Sequence, residues 1–217
     1  MDLVIFDLDG TLVDSKQDLI NAVNAARGHM SLPPLPDDTV AGYVGNGAPA
    51  LIRRALGDEA PQVDVDRALE YFLTYYRAHM LDFTRLYPGV RESLDALDAG
   101  GVKMAVLTNK PVRFSIDMIK GLGVGDKFFR VYGGNSFEQK KPDPIGVEKL
   151  LEESGCRRDR ALIVGDSAVD VRTARNARVE CCGVTYGFQP ESFNSDPPDF
   201  LVDRMEQLAE RILMGRR

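Results

Sequence analysis

The chain has 217 residues, enough for one large domain or for a core with a smaller insert. Its 27 Lys and Arg against 33 Asp and Glu leave a net charge of -6, which excludes a broadly basic nucleic-acid footprint and leaves room for a local positive pocket only. No apolar run approaches bilayer length and no leader pattern opens the chain; three cysteines and two histidines, without zinc spacing, support neither a disulfide framework nor a His-rich metal centre, so reduced thiols in the cytoplasm are expected.

In chain order, "LVIF" (3–6) reads as a buried strand that runs into the acidic turn "DLDGT" (7–11). Helical patterns follow in "SKQDLINAVNAARGHM", "GAPALIRRALG" and "VDRALEYFLTYYRAHML", punctuated by the Pro-rich "LPPLPDD" (32–38). This stretch, residues 15–86, is expected to be a helical cap, with residues 1–14 and 87–217 forming the core and "LYPGV" (86–90) marking the return. Strands are expected at "MAVLT" (104–108), "FRVYG" (129–133), "ALIVG" (161–165), "CCGVTY" (181–186) and more weakly "FLV" (200–202). Helices alternate with them at 90–101, 111–123 and 144–155, each closed by glycine. "QPESFNSDPPD" (189–199) reads as a polar loop. The fold class is therefore α/β: a doubly wound, mostly parallel, Rossmann-like sheet with a small helical cap inserted after the first strand.

In such a sheet, ligands bind beyond the carboxyl ends of the strands. Those ends carry Asp7 and Asp9, then Thr108, Asn109 and Lys110, then Asp166, Ser167 and Asp170, while Lys140 and Lys141 precede the next helix. Asp7, Asp9 and Asp166 brought together would repel one another unless a cation binds or a proton is shared. Oxygen ligands without histidine or thiolate favour Mg²⁺, which in turn favours a phosphate ligand. Taken singly, most of these motifs have ordinary explanations such as turns, caps and solvated lysines. Their order at successive strand ends is what argues for a site. Asp14 and Lys140 are expected outside the chemistry, Asp14 as a helix cap or linker start and Lys140 as a solvated lysine, and Lys110 is left unassigned.

The ordered set "DLDGT", "LTN" (107–109), "KP" (141–142) and "GDSAVD" (165–170) resembles the four motifs of the haloacid dehalogenase superfamily of phosphohydrolases, over the whole chain. The resemblance implies that Asp7 is a nucleophile forming an aspartyl-phosphate and that Asp9 is the general acid and base, its pKa raised by nearby negative charge. It implies Mg²⁺ held by Asp7, the Asp9 backbone carbonyl and Asp166, with Asp170 behind them holding metal waters or Lys141. Thr108 and Lys141, with Asn109 beside them, would stabilise the transferring group.

Within the superfamily, "VDSKQDLINAV", "YVGNGAPALIRRAL", "TRLYPGV" and "LTNKP" are similar to phosphoglycolate phosphatases. That similarity implies a cap loop, Gly45-Asn46-Gly47, closing on the site, and Arg53 or Arg54 facing a substrate carboxylate. Leu19 stands where sugar phosphomutases carry a cap histidine, and Lys16 is the only cap lysine, which disfavours Schiff-base phosphonate chemistry. Relatives commonly have Ala-Gly where this chain has Ala177-Arg178. The expected activity is Mg²⁺-dependent hydrolysis of a small phosphate ester, phosphoglycolate foremost. A broad sugar-phosphate, nucleotide or pyrophosphate hydrolase and a non-catalytic phosphate-binding protein are the alternatives. A small molecule, with no nucleic acid or membrane, is the expected partner of a monomer or homodimer.

Overall fold

Leu3–Phe6 forms strand β1, with all four side chains buried. The structure is a computed structural model and describes residues 1–215. After β1 a short strand β2 (Val13–Asp14) leads into four helices: α1 (Lys16–His29), α2 (Asp37–Tyr43), α3 (Ala48–Leu56) and α4 (Gln62–His79). They pack on one another, α1 and α3 both lying against α4. The chain returns through β3 (Arg85–Leu86), which pairs antiparallel with β2. That two-strand ribbon and the short α2 carry no sequence signal strong enough to be expected. Two residues are too few for periodicity, and α2 begins inside the Pro-rich run, directly after Pro36.

The rest alternates: α5 (Val90–Ala99), β4 (Lys103–Leu107), α6 (Val112–Gly121), β5 (Arg130–Tyr132), α7 (Ile145–Ser154), β6 (Ala161–Gly165), α8 (Ala168–Ala177), β7 (Glu180–Val184), β8 (Phe200–Val202) and α9 (Met205–Met214). The sheet order is β5-β4-β1-β6-β7-β8, and every pairing in it is parallel. β1 lies at its centre, which is why its run is continuously apolar. The pleat sends Leu3 and Ile5 into one core, shared with Leu107, Ile163 and helix α7. Val4 and Phe6 enter the other, shared with Val106, Val164, Leu94 of α5 and Leu208 of α9.

Segment 189–199 contains a 3-10 turn, Pro190–Asn194, that buries Phe193 against the Leu3 core. At Ala177-Arg178 the left-handed helix end is retained, with Arg178 at φ 55° in place of a glycine. A side chain there costs about 1 kcal/mol of backbone strain. No helix among the described residues is long and apolar enough to cross a membrane.

Candidate active site

The chain changes direction across the sheet between β4 and β6, on either side of β1, and the crevice beyond their ends is the expected ligand site. Sheet register sets the first groups there: Asp7 N–H donates to Val164 O at 2.9 Å and Thr108 N–H to Tyr132 O at 3.0 Å. Gly10, at φ +81°, lets the turn after β1 fold back against the β6 end. A Cβ on Gly10 would overlap the Asp166 carboxylate, so the close approach requires glycine.

Three carboxylates meet here. Oxygens of Asp7, Asp166 and Asp170 all lie within 4.8 Å of one another. Lys141 Nζ stands among them, 3.0 Å from Asp7 Oδ1 and 2.7 Å from Asp170 Oδ1. Asp170 Oδ2 also accepts from Ser167 N at 3.2 Å and Ser167 Oγ at 2.9 Å, closing a capping box at the start of α8. Asp166 Oδ2 accepts from Phe188 N at 2.7 Å. Burial, with Asp170 nearby, pushes Asp7 up from the ordinary 3.8 to about 6 although Lys141 opposes the rise. Burial, then the charges of Asp170 and Asp7, push Asp166 well up too. For Lys141, burial opposes the charge, but Asp170 and Asp7 outweigh it and hold the ammonium.

The residues fit a hard divalent cation. The donor set is all oxygen, and three carboxylates face one ammonium. Asp7 Oδ1, though beside Lys141, is buried and accepts no hydrogen bond of acceptable geometry.

Asp9 belongs to a second charge group. Its carboxylate accepts from Ser15 Oγ, and Lys110 Nζ lies 3.0 Å from each of its oxygens. Lys110 also donates to the Tyr76 hydroxyl of α4 at 2.7 Å. Burial first, then the charges of Asp9 and Asp18, hold that phenol protonated. The expectation of negative charge beside Asp9 is thus corrected: the group facing its carboxylate is an ammonium. The Asp9 carboxylate also stands apart from the three-carboxylate cluster.

Beyond these groups opens a cavity. Asp7, Asp9, Thr108, Asn109, Lys110 and Asp166 line it, together with the apolar Leu19, Leu51, Phe72 and Phe114. Gly45 and Gly47 line it, at φ 111° and 83°. The loop they form is held from below. Asn109 Nδ2 donates to Gly45 O at 2.9 Å, Gln189 Nε2 to Val44 O at 2.8 Å and Lys140 Nζ to Asn46 O at 2.5 Å. Lys140, expected to be solvated, is therefore a tether.

Arg53 and Arg54 do not line the cavity. Arg53 bonds Ala60 O and Gln62, and Arg54 bonds Tyr43 O at 3.2 Å. Sequence reasoning set Lys110 aside and missed Ser15, Tyr76 and Gln189. Only Lys110 had a usable signal, its place directly after the β4-end Thr-Asn.

A family model for haloacid dehalogenase-like hydrolases matches residues 4–184. The chain belongs to that family and is a hydrolase of it. It is 38% identical to a phosphoglycolate phosphatase of Vibrio vulnificus, over 98% of this chain and 96% of that one. A phosphoglycolate phosphatase of Pseudomonas putida is 39% identical, over 95% of this chain and 78% of its own. Among solved structures, a Haemophilus somnus protein described as a predicted phosphoglycolate phosphatase superposes with a TM-score of 0.92 at 32% identity, covering 97% of each chain.

Proposed function

We propose that the protein is a Mg²⁺-dependent phosphatase that hydrolyses a small phosphate monoester, phosphoglycolate foremost, through an aspartyl-phosphate on Asp7. The observation that carries this reading is the convergence of Asp7, Asp166 and Asp170 around Lys141 at the ends of β1 and β6. Similarity along nearly the whole chain to phosphoglycolate phosphatases supports the substrate.

Asp7, Asp166 and the Asp9 carbonyl would hold Mg²⁺, which when bound neutralises charge on the phosphoryl oxygens. An Asp7 oxygen attacks phosphorus as the ester P–O bond breaks, and Asp9, entering the step as the neutral acid, gives its proton to the leaving oxygen. Water then attacks the aspartyl-phosphate while Asp9 takes its proton, releasing phosphate and restoring Asp7. Lys141 and Thr108 hold the phosphoryl oxygens; Asp170 holds Lys141 in place and completes its charge balance. Residues 15–86 act as the cap, with the Gly45–Gly47 loop over the phosphate. Three unpaired cysteines suit a reducing, cytoplasmic setting.

Phosphate release is measured on phosphoglycolate, sugar phosphates, nucleotides and pyrophosphate, with Mg²⁺ and with Asp7→Asn as control. Phosphoglycolate should lead in kcat/KM and the variant should be inactive. A variant equal to wild type would remove Asp7 as nucleophile. A different leading ester would leave the chemistry and overturn the substrate.

A further inference from the structure

Resting on the phosphatase reading above, we propose that Lys110 determines specificity: its ammonium receives a carboxylate carried by the leaving group, one methylene from the ester oxygen. Among the described residues that line the cavity, Lys110 is the one cation. The arginines that could have done this work are engaged elsewhere. Arg53 is bound to the turn before α4 and Arg54 to the end of α2, and neither reaches the cavity.

The lining also contains Leu19, Leu51, Phe72 and Phe114, which offer nothing to an anion. A carboxylate placed there would lose its water and gain no partner. Among the described lining residues an anionic leaving group therefore has one ammonium to meet, Lys110.

Lys110 is also prepared for the role. Its side chain is only 5% exposed and is fixed from two sides, by the Asp9 carboxylate and by the Tyr76 hydroxyl. Its Nζ also lies 4.5 Å from the centroid of the Tyr76 ring. A cation held in this way loses little freedom on meeting its ligand. Position adds the last constraint. Asp9 has to reach the ester oxygen, and Lys110 Nζ is 3.0 Å from Asp9. In phosphoglycolate a single methylene separates that oxygen from the carboxylate carbon, so one substrate pose touches both residues. A neutral leaving group of the same length sets uncharged atoms beside a buried ammonium and gains no ion pair.

The test is a ratio. kcat/KM is measured for phosphoglycolate and for 2-hydroxyethyl phosphate, which replaces the carboxylate by a neutral group, in wild type, Lys110→Met, Tyr76→Phe and Arg54→Ala. Both esters share any loss that acts through Asp9 or through the folded fraction, so the ratio isolates carboxylate recognition. Lys110→Met should lower the preference for phosphoglycolate about 100-fold, the scale of a lost buried ionic contact. Tyr76→Phe, which keeps the ring but frees the ammonium, should lower it severalfold. Arg54→Ala should leave it unchanged.

A preference retained in Lys110→Met overturns the inference and leaves Lys110 as a residue that only positions Asp9. A selective loss in Arg54→Ala also overturns it and moves the carboxylate to α3. If Lys110→Met shows no turnover, the same ratio is read by calorimetric binding of the two esters to Asp7→Asn with and without the second change. A wild-type enzyme with no preference between the esters overturns the phosphoglycolate reading itself, a result distinct from a wild-type preference that survives the substitution.

Discussion

Asp18 fastens the start of the helical segment to its end, and its removal has a calculable cost. The residue lies on α1 and is 1% exposed. Its carboxylate accepts from Thr84 N at 2.8 Å, from Thr84 Oγ1 at 2.7 Å and from Phe83 N at 3.1 Å. Asp18→Ala leaves all three donors without that acceptor. Phe83 is 59% exposed, so water can replace the bond to its N–H, but Thr84 is fully buried. Two buried donors lose bonds to a charged acceptor, each worth about 1.5–3 kcal/mol, while the cost of burying the carboxylate is recovered. The net expected loss is about 3 kcal/mol. Asp18→Asn, which keeps one oxygen acceptor, should lose about half as much. Urea unfolding at neutral pH reads both, with the slope m unchanged. A loss in Asp18→Ala below about 1 kcal/mol would refute the claim that this staple joins the two chain passages at β2 and β3.

Metal and pH should be linked. A carboxylate raised from 3.8 to about 6, as Asp7 is, binds its proton more tightly folded than unfolded. Its stabilising contribution is complete below the unfolded value and is lost as pH rises through about 6, at a cost on the order of 3 kcal/mol for the metal-free protein. Mg²⁺ needs the charged form, so the gain in Tm on adding Mg²⁺ should be larger at pH 7.5 than at pH 5; equal gains would contradict the assignment. Gly187→Ala tests the back of the cluster. A Cβ there would overlap the Asp166 side chain and approach Gly10 O. Activity should fall at least tenfold, with a raised Mg²⁺ requirement that saturating metal partly restores; an unchanged metal titration would show that Asp166 does not move.

The core was legible because its signals are local. A strand covered on both faces has to be continuously apolar, so β1, β4, β6 and β7 stand out, and the Pro and Gly boundaries of α6 and α7 mark their ends. The acidic turn and the lysine before Pro142 could be placed for the same reason, since each follows or precedes a recognisable element. The ribbon β2–β3 was not legible, because its pairing joins residues about 70 positions apart and each strand has two residues. The place of Lys110 could not be read from the sequence, since its burial depends on Tyr76 from α4 and Asp9 from the turn after β1. The positions of Arg53 and Arg54, off the cavity lining, were not legible for a different reason. A helix pattern shows that they share a helix but not that its cavity-facing side is Ala48 and Leu51.

The charge arrangement answers why a buried strand should end among carboxylates. Four of them, Asp7, Asp9, Asp166 and Asp170, meet two ammonium groups, Lys110 and Lys141. The two lysines do not share the load evenly. Lys110 is matched one to one with Asp9, so that group is already neutral. Lys141 faces three carboxylates, and the whole deficit therefore falls on the Asp7, Asp166 and Asp170 cluster. A deficit of two charges confined to one oxygen-lined cluster is the requirement of one divalent cation; burial first, and then the neighbouring carboxylates, raise the pKa values of Asp7 and Asp166. Separation also protects the division of labour. The Asp9 carboxylate is kept out of the cluster by its own lysine, and in the proposed mechanism only its backbone carbonyl meets the metal while the carboxylate serves the ester oxygen.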